Sequence, residues 1–228
     1  MAGAWGSLIL LDAPPAEDRL ALGGSYWATP RSPDGKHDDH LSTPAIDYYR
    51  HDGGFASTET GIGFNASAAE DWQAGLRLWP QWGWAKQDLA DGQPRVGLRV
   101  QQQAFANALL GGVILVQSAL SHGSGRARDG LQGELGLSSG IPWSSGVVGF
   151  GVAATYGNRA YRRDYARVDA AGWSDWSWSL SADQKLGGRW HADAQLQRAL
   201  VFRAGAVTAT QQGAWHPSAL LISLWRDW

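Results

Sequence analysis

Three groups of residues in this chain have types and spacings that could do chemistry. His122 and Ser124 stand two apart, so on one strand both would point to the same side. Glu134 offers a carboxylate on the next segment. A histidine within hydrogen-bond reach of a hydroxyl, oriented by a third group, is the arrangement that activates a nucleophile for ester hydrolysis. Gly123 and Gly125 surround the pair and Arg126 and Arg128 follow it, which reads as a turn. No catalytic residue is therefore assigned, and the trio stands as the enzymatic alternative, a lipid hydrolase. His37-Asp38-Asp39-His40 has the ligand types for a divalent cation. Consecutive residues seldom converge on one ion, so a solvated loop ahead of Leu41 is the plainer reading, and neither a metal nor a cofactor is expected. Arg159, Arg162, Arg163 and Arg167 cluster in a loop expected at 158–172. They are either solvated or suited to gripping lipopolysaccharide phosphates with guanidinium forks.

Positioning such side chains falls to extended segments. Residues 43–67 show two runs of period two that meet at His51-Asp52-Gly53-Gly54, an Asp/Gly turn that closes hairpins. In the second run Ala56, Thr58, Thr60, Ile62, Phe64 and Ala66 share one face; Ser57, Glu59, Gly61, Gly63 and Asn65 share the other. Alternation recurs at 19–28, 72–84, 96–109, 131–139, 146–156, 176–183, 190–197 and 218–228, with Pro80 interrupting the second of these. Residues 113–120 are continuously apolar, and 199–213 fit neither face cleanly. No helical period runs long enough to assign. The reading is all-β: a closed antiparallel transmembrane β-barrel of about 12 strands, with 10 as the alternative. Residues 1–17 form a lead segment and 18–228 a single barrel domain.

Composition narrows the class. The 228 residues include no Cys, which excludes a disulfide frame and a thiolate metal site. A net charge of -2 argues against a nucleic-acid partner. The chain holds 30 Gly and 14 Trp with only 18% charged residues, a balance typical of antiparallel barrels. Mean hydropathy is -0.29 and no run of ~20 apolar residues exists, so a spanning helix is excluded while a barrel is not. The amino end lacks a basic stretch followed by an apolar core, so no intact signal peptide is read.

The direction of the apolar face follows from its texture. Trp190 precedes Ala192 and Ala194, and Trp176 and Trp178 precede Leu180 and Ala182. Aromatic ends around a small-residue middle form a membrane girdle. Ile62, Leu76, Leu78, Phe150, Leu180 and Leu196 should then face lipid. Glu59, Arg77, Gln81, Glu134, Asp175 and Asp183 should face the lumen beside Ser179 and Gln195, as a plug of paired internal charges. The last strand, with Leu220, Ile222 and Leu224 on the face of Trp228, should close the barrel against the first.

Several motifs carry a resemblance. Leu22-Gly23-Gly24-Ser25-Tyr26 with Pro30, Pro44-Ala45-Ile46-Asp47-Tyr48, and Gly54-Phe55-Ala56-Ser57 with Gly61-Ile62-Gly63 resemble the MipA/OmpV family of Gram-negative outer-membrane proteins. Ser121-His122-Gly123-Ser124-Gly125 with Asp129-Gly130 is similar to that family's mid-chain turn. The chain departs from the pattern in ending Arg-Asp-Trp and in its load of Trp. The resemblance implies a non-enzymatic barrel in the Gram-negative outer membrane, surrounded by lipid and lipopolysaccharide. It implies a scaffold linking murein hydrolases or synthases to the envelope, with short periplasmic turns and longer external loops. Trp228 would be its signal to the barrel assembly machinery, as in similar barrels. The His122/Ser124 pair is similar to the H-x-S pair of lipid-A deacylase barrels. A narrow channel is the third reading.

Overall fold

The computed structural model describes residues 14–30, 38–67, 69, 71–81, 99–123, 130–165, 168–202 and 218–228. Twelve strands form one closed antiparallel barrel: β1 (Arg19–Pro30), β2 (Asp38–Tyr49), β3 (Gly54–Ser57), β4 (Gly61–Asn65), β5 (Trp72–Gln81) and β6 (Arg99–Leu110), then β7 (Ile114–Gly123), β8 (Leu131–Trp143), β9 (Gly146–Gly157), β10 (Gly172–Gly187), β11 (Trp190–Val201) and β12 (Ser218–Asp227). Each strand pairs with its neighbours in sequence. The ring shuts where β12 pairs β1, in a register running from Ala21 opposite Asp227 to Ala28 opposite Leu220. Closure satisfies edge N–H and C=O groups that lipid cannot hydrogen-bond.

Period-two alternation sets what each face carries. Among the described residues the buried set is mostly polar, including Gln73, Gln103, Asn107, Gln132, Glu134 and Asp175. The exposed large side chains are apolar and recur on every long strand. Leu76 and Leu78 are 66% and 51% exposed, while Arg77 between them on β5 is 3% exposed. A continuous apolar belt of this extent would not persist in water, and it suits a bilayer. Aromatic rings bound the belt, with Tyr156, Trp173 and Trp176 towards one end and Trp72, Trp143, Trp190 and Trp228 towards the other. The second end carries the short connections at 50–53, 111–113, 144–145 and 188–189.

The twelfth strand does not come from where the alternation placed it. Residues 56–66 are not one strand but two, because the chain turns back at 58–60. Ser57 causes the turn: its hydroxyl accepts the N–H of Glu59 at 3.1 Å and of Thr60 at 3.3 Å, offering the backbone a partner other than the ladder. Gly61 then takes φ +87°, a conformation a side chain would resist. The expected outward faces of Thr58 and Thr60 are thus turn positions. Of the ambiguous run, β11 absorbs the beginning through Val201, and 203–217 lie outside the described residues. The expected loop at 158–172 contains a short helix, α1 (Arg159–Tyr165), whose Tyr161 N–H is capped by Asn158 Oδ1 at 2.9 Å. The lead segment lies outside the described residues up to residue 13.

Candidate functional site

The interior divides into a filled side and an open side. On the filled side Tyr49 stacks on Phe55, with ring centroids 5.9 Å apart, and clusters with Phe105 and Ala119. Above that cluster Arg77 donates through Nε to Gln103 Oε1 and through NH1 to the Thr60 carbonyl at 3.0 Å. Gln103 passes the chain of bonds to Ser121 Oγ at 2.8 Å. Glu59, at the tip of the β3–β4 hairpin, reaches past β2 to the seam: its Oε1 accepts from Ser25 Oγ at 2.6 Å and Ser223 Oγ at 2.5 Å. Those two serines face each other across the β1–β12 closure. Elsewhere Gln132 donates to Glu134, Thr155 donates to Asp175 at 2.9 Å, and Trp225 Nε1 donates to Asp193 at 2.7 Å. Buried charge is tolerable here because each group has polar partners.

The open side lies against β8 to β11. A cavity of about 570 Å³ runs along that wall, reached from the end bearing the short turns. Ser177, Ser179 and Ser181 of β10 and Gln195 and Gln197 of β11 form its floor, with Gln117 and Asn107 opposite. Their cross-strand pairs alternate hydroxyl and amide, Ser179 with Gln197 and Ser181 with Gln195. Gly149 and Gly151 of β9 flank the serines, and a Cβ on either would come within 2.5 Å of Ser181 Oγ or 2.8 Å of Ser179 Oγ. Among the described residues the only carboxylate in the lining is Asp71, at the rim, with Asp183 and Asp193 one rung beyond Ser181 and Gln195. At the other end buried side chains occupy the lumen among the described residues. Thr155 and Asp175 are buried there, and α1 sits over β8 to β10 with Tyr161 against Gly130 and Gly157.

The residues singled out in the sequence fall as follows. Ile62, Leu76, Leu78, Phe150, Leu180 and Leu196 are on the outer surface. Arg77, Glu134 and Asp175 are buried in the lumen, Glu59 is half-buried at the hairpin tip, and Asp183 is exposed near the open end opposite Asp193. The side chain of Gln81 lies outside the described residues. His122 is exposed on the outer face beside Leu120 and Leu131, whereas Glu134 is 3% exposed inside. The wall separates the base from its supposed orienting carboxylate, which breaks that trio; Ser124 lies outside the described residues. Of the arginines, Arg159 is exposed and ion-paired with Asp169, holding that carboxyl below its ordinary value. Arg163 is exposed, and Arg167 lies outside the described residues. Arg162 corrects the expectation of a surface cluster. It is turned inward, 8% exposed, and donates to the Ala170 carbonyl at 3.2 Å. His37 lies outside the described residues, among which no group of three His, Cys, Asp or Glu could hold a metal ion. His40 bonds Tyr26 OH through Nδ1 at 2.7 Å.

The sequence reading missed the cavity floor as a site. Its signal was present: small residues alternate along 146–156 opposite the Val/Phe face, and serines alternate along β10. Period two shows that such faces exist but not that they adjoin.

No family model matches the chain, and no curated protein matches it. Solved structures do. The COG4313 outer membrane channel from Pseudomonas putida F1 aligns at TM-score 0.49 and 12% identity, covering 100% of each chain. The CymD monoaromatic hydrocarbon channel aligns at 0.40 and 10%, covering 96% of this chain and 89% of that one. A porin aligns at 0.36 and 10%, covering 93% and 100%. The likeness to these outer-membrane barrels is one of fold.

Proposed function

We propose that this protein is a narrow channel in the outer membrane of a Gram-negative cell, with the short turns on the periplasmic side. The observation that carries the reading is a cavity floored by serines and glutamines inside a closed wall whose outer face is apolar. A scaffold has no use for a lumen lined with hydroxyls and amides, whereas a solute path requires one. Purified protein in a planar bilayer should give discrete current steps in potassium chloride. A folded barrel that inserts and carries no current would sink the proposal.

The motif resemblance to the MipA/OmpV family supports a second reading, a scaffold for murein-remodelling enzymes. It requires a protein partner on the periplasmic turns. Capture of a murein hydrolase or synthase from solubilised envelopes, lost when residues 144–145 or 188–189 are replaced, would favour it over the channel.

A further inference from the structure

We propose that the cavity against β8 to β11 selects small neutral polyhydroxylated solutes, of which a monosaccharide is the simplest case. The inference rests on the channel reading and names what the channel passes.

The lining sets the chemistry. A serine hydroxyl and a carboxamide each offer both a donor and an acceptor, the pair of functions that every hydroxyl of a sugar presents in return. Across β10 and β11 two successive inward rungs carry this set, Ser179 opposite Gln197 and Ser181 opposite Gln195, between Ser177 opposite Ala199 on one side and Asp183 opposite Asp193 on the other. Among the described residues the side chains of Ser179, Ser181 and Gln195 make no hydrogen bond to another protein group, which leaves their capacity for a solute. Gln197 is turned towards Ser177 Oγ at 3.3 Å, and Ser138 towards Gln117 at 3.5 Å, both long enough to exchange for a better partner.

The lining also gives an ion that must shed its water no advantage over a neutral solute, while small hydrated ions pass with their water. An ion leaving water needs a compensating charge. Beside Ser179, Ser181, Gln195 and Gln197 none is provided: Asp71 stands at the rim, Asp183 and Asp193 face each other one rung beyond towards the open end, and Arg77, Glu134 and Asp175 are buried with their own partners. Space is provided instead. Gly149 and Gly151 keep the wall flat where any side chain would collide with the serines. The cavity of about 570 Å³ falls within the roughly 300–1,000 Å³ of sites that enclose small molecules.

The test is osmotic swelling of liposomes bearing the full-length protein, in isosmotic D-glucose or potassium gluconate, beside bilayer current in potassium chloride. The expected result is glucose uptake clearly above empty liposomes and above gluconate. The double variant Ser179→Ala with Gln195→Ala keeps the space and removes two hydrogen-bonding groups. It should lower the glucose rate about five- to tenfold, the effect of one or two lost hydrogen bonds, while the barrel keeps its folded gel mobility. Gly151→Phe fills the cavity and should abolish glucose uptake, with the folded barrel verified by its heat-modifiable gel mobility. Current in potassium chloride with no glucose uptake would overturn the neutral-solute inference and leave the channel standing. Neither current nor uptake would overturn both. Parental glucose rates in the double variant and in folded Gly151→Phe would show that the solute does not use this wall.

Discussion

At the residue scale the informative side chains are acids with several donors. Asp18, just ahead of β1, accepts the His51 backbone N–H at 3.0 Å, the His51 ring Nδ1 at 2.7 Å and the Tyr48 hydroxyl at 2.7 Å. Those bonds, the backbone one foremost, hold its carboxyl well below the ordinary value of 3.8. A carboxyl depressed in the fold stabilises it above the unfolded-state value, and that contribution is lost as pH falls through the lower folded-state value. Asp18→Asn should therefore melt below the parent at neutral pH, and the gap should narrow once the pH drops under 3.8. A gap that widens in acid would reverse the sign. Glu59 acts at the seam. Glu59→Ala removes the shared acceptor of Ser25 and Ser223, which keep their mutual hydrogen bond at 2.9 Å, so the cost should be about 1 kcal/mol. Urea unfolding in lipid vesicles measures this, and a loss under a few tenths would mean that the seam does not depend on Glu59.

At the scale of elements the alternation of each strand is what lipid tests. Leu180 faces outward and Ser179 inward on adjacent positions of β10. Leu180→Arg should cost roughly 2–4 kcal/mol near the bilayer midplane, while Ser179→Arg meets an open cavity and should cost less. The opposite order would mean that the faces are reversed. The β3–β4 hairpin is the other sensitive element. Ser57→Ala removes the acceptor that turns the chain at 58–60, and the cost is of order 1 kcal/mol. Hydrogen exchange should show faster opening at Glu59 and Thr60 than in the parent, with β8 to β10 unaffected.

At the scale of the whole molecule everything depends on the join of β1 to β12. Gly23 lies in that join opposite Trp225, and a Cβ there would strike the Leu224 backbone carbonyl. Gly23→Ala should push the two strands apart and lower the yield of closed barrel on refolding into detergent, read as the fraction with folded gel mobility. Parental yield would show that the seam relaxes around a methyl group. Trp228 adds one tie, its N–H donating to the Leu20 carbonyl at 2.9 Å.

The sequence by itself determined the barrel, because period two is a local property: each residue's neighbours in the chain decide which of two faces it takes. That is why Leu76 and Arg77, or Leu180 and Ser179, could be assigned to opposite sides without a partner strand. The tertiary structure decided what depends on register. Whether His122 and Glu134 meet is a question of parity across a strand pair, and the wall runs between them. Whether residues 56–66 continue or turn depends on a hydroxyl that competes with a ladder formed by distant chain. Arg162 reads as a solvated cation until glycines at 157 and 172 make room beneath α1. The serine and glutamine faces of β10 and β11 read as ordinary lumen lining, and only curvature and register bring them beside the glycines of β9 to leave a cavity. Local pattern fixes faces; pairing across the sheet fixes neighbours, and a site is made of neighbours.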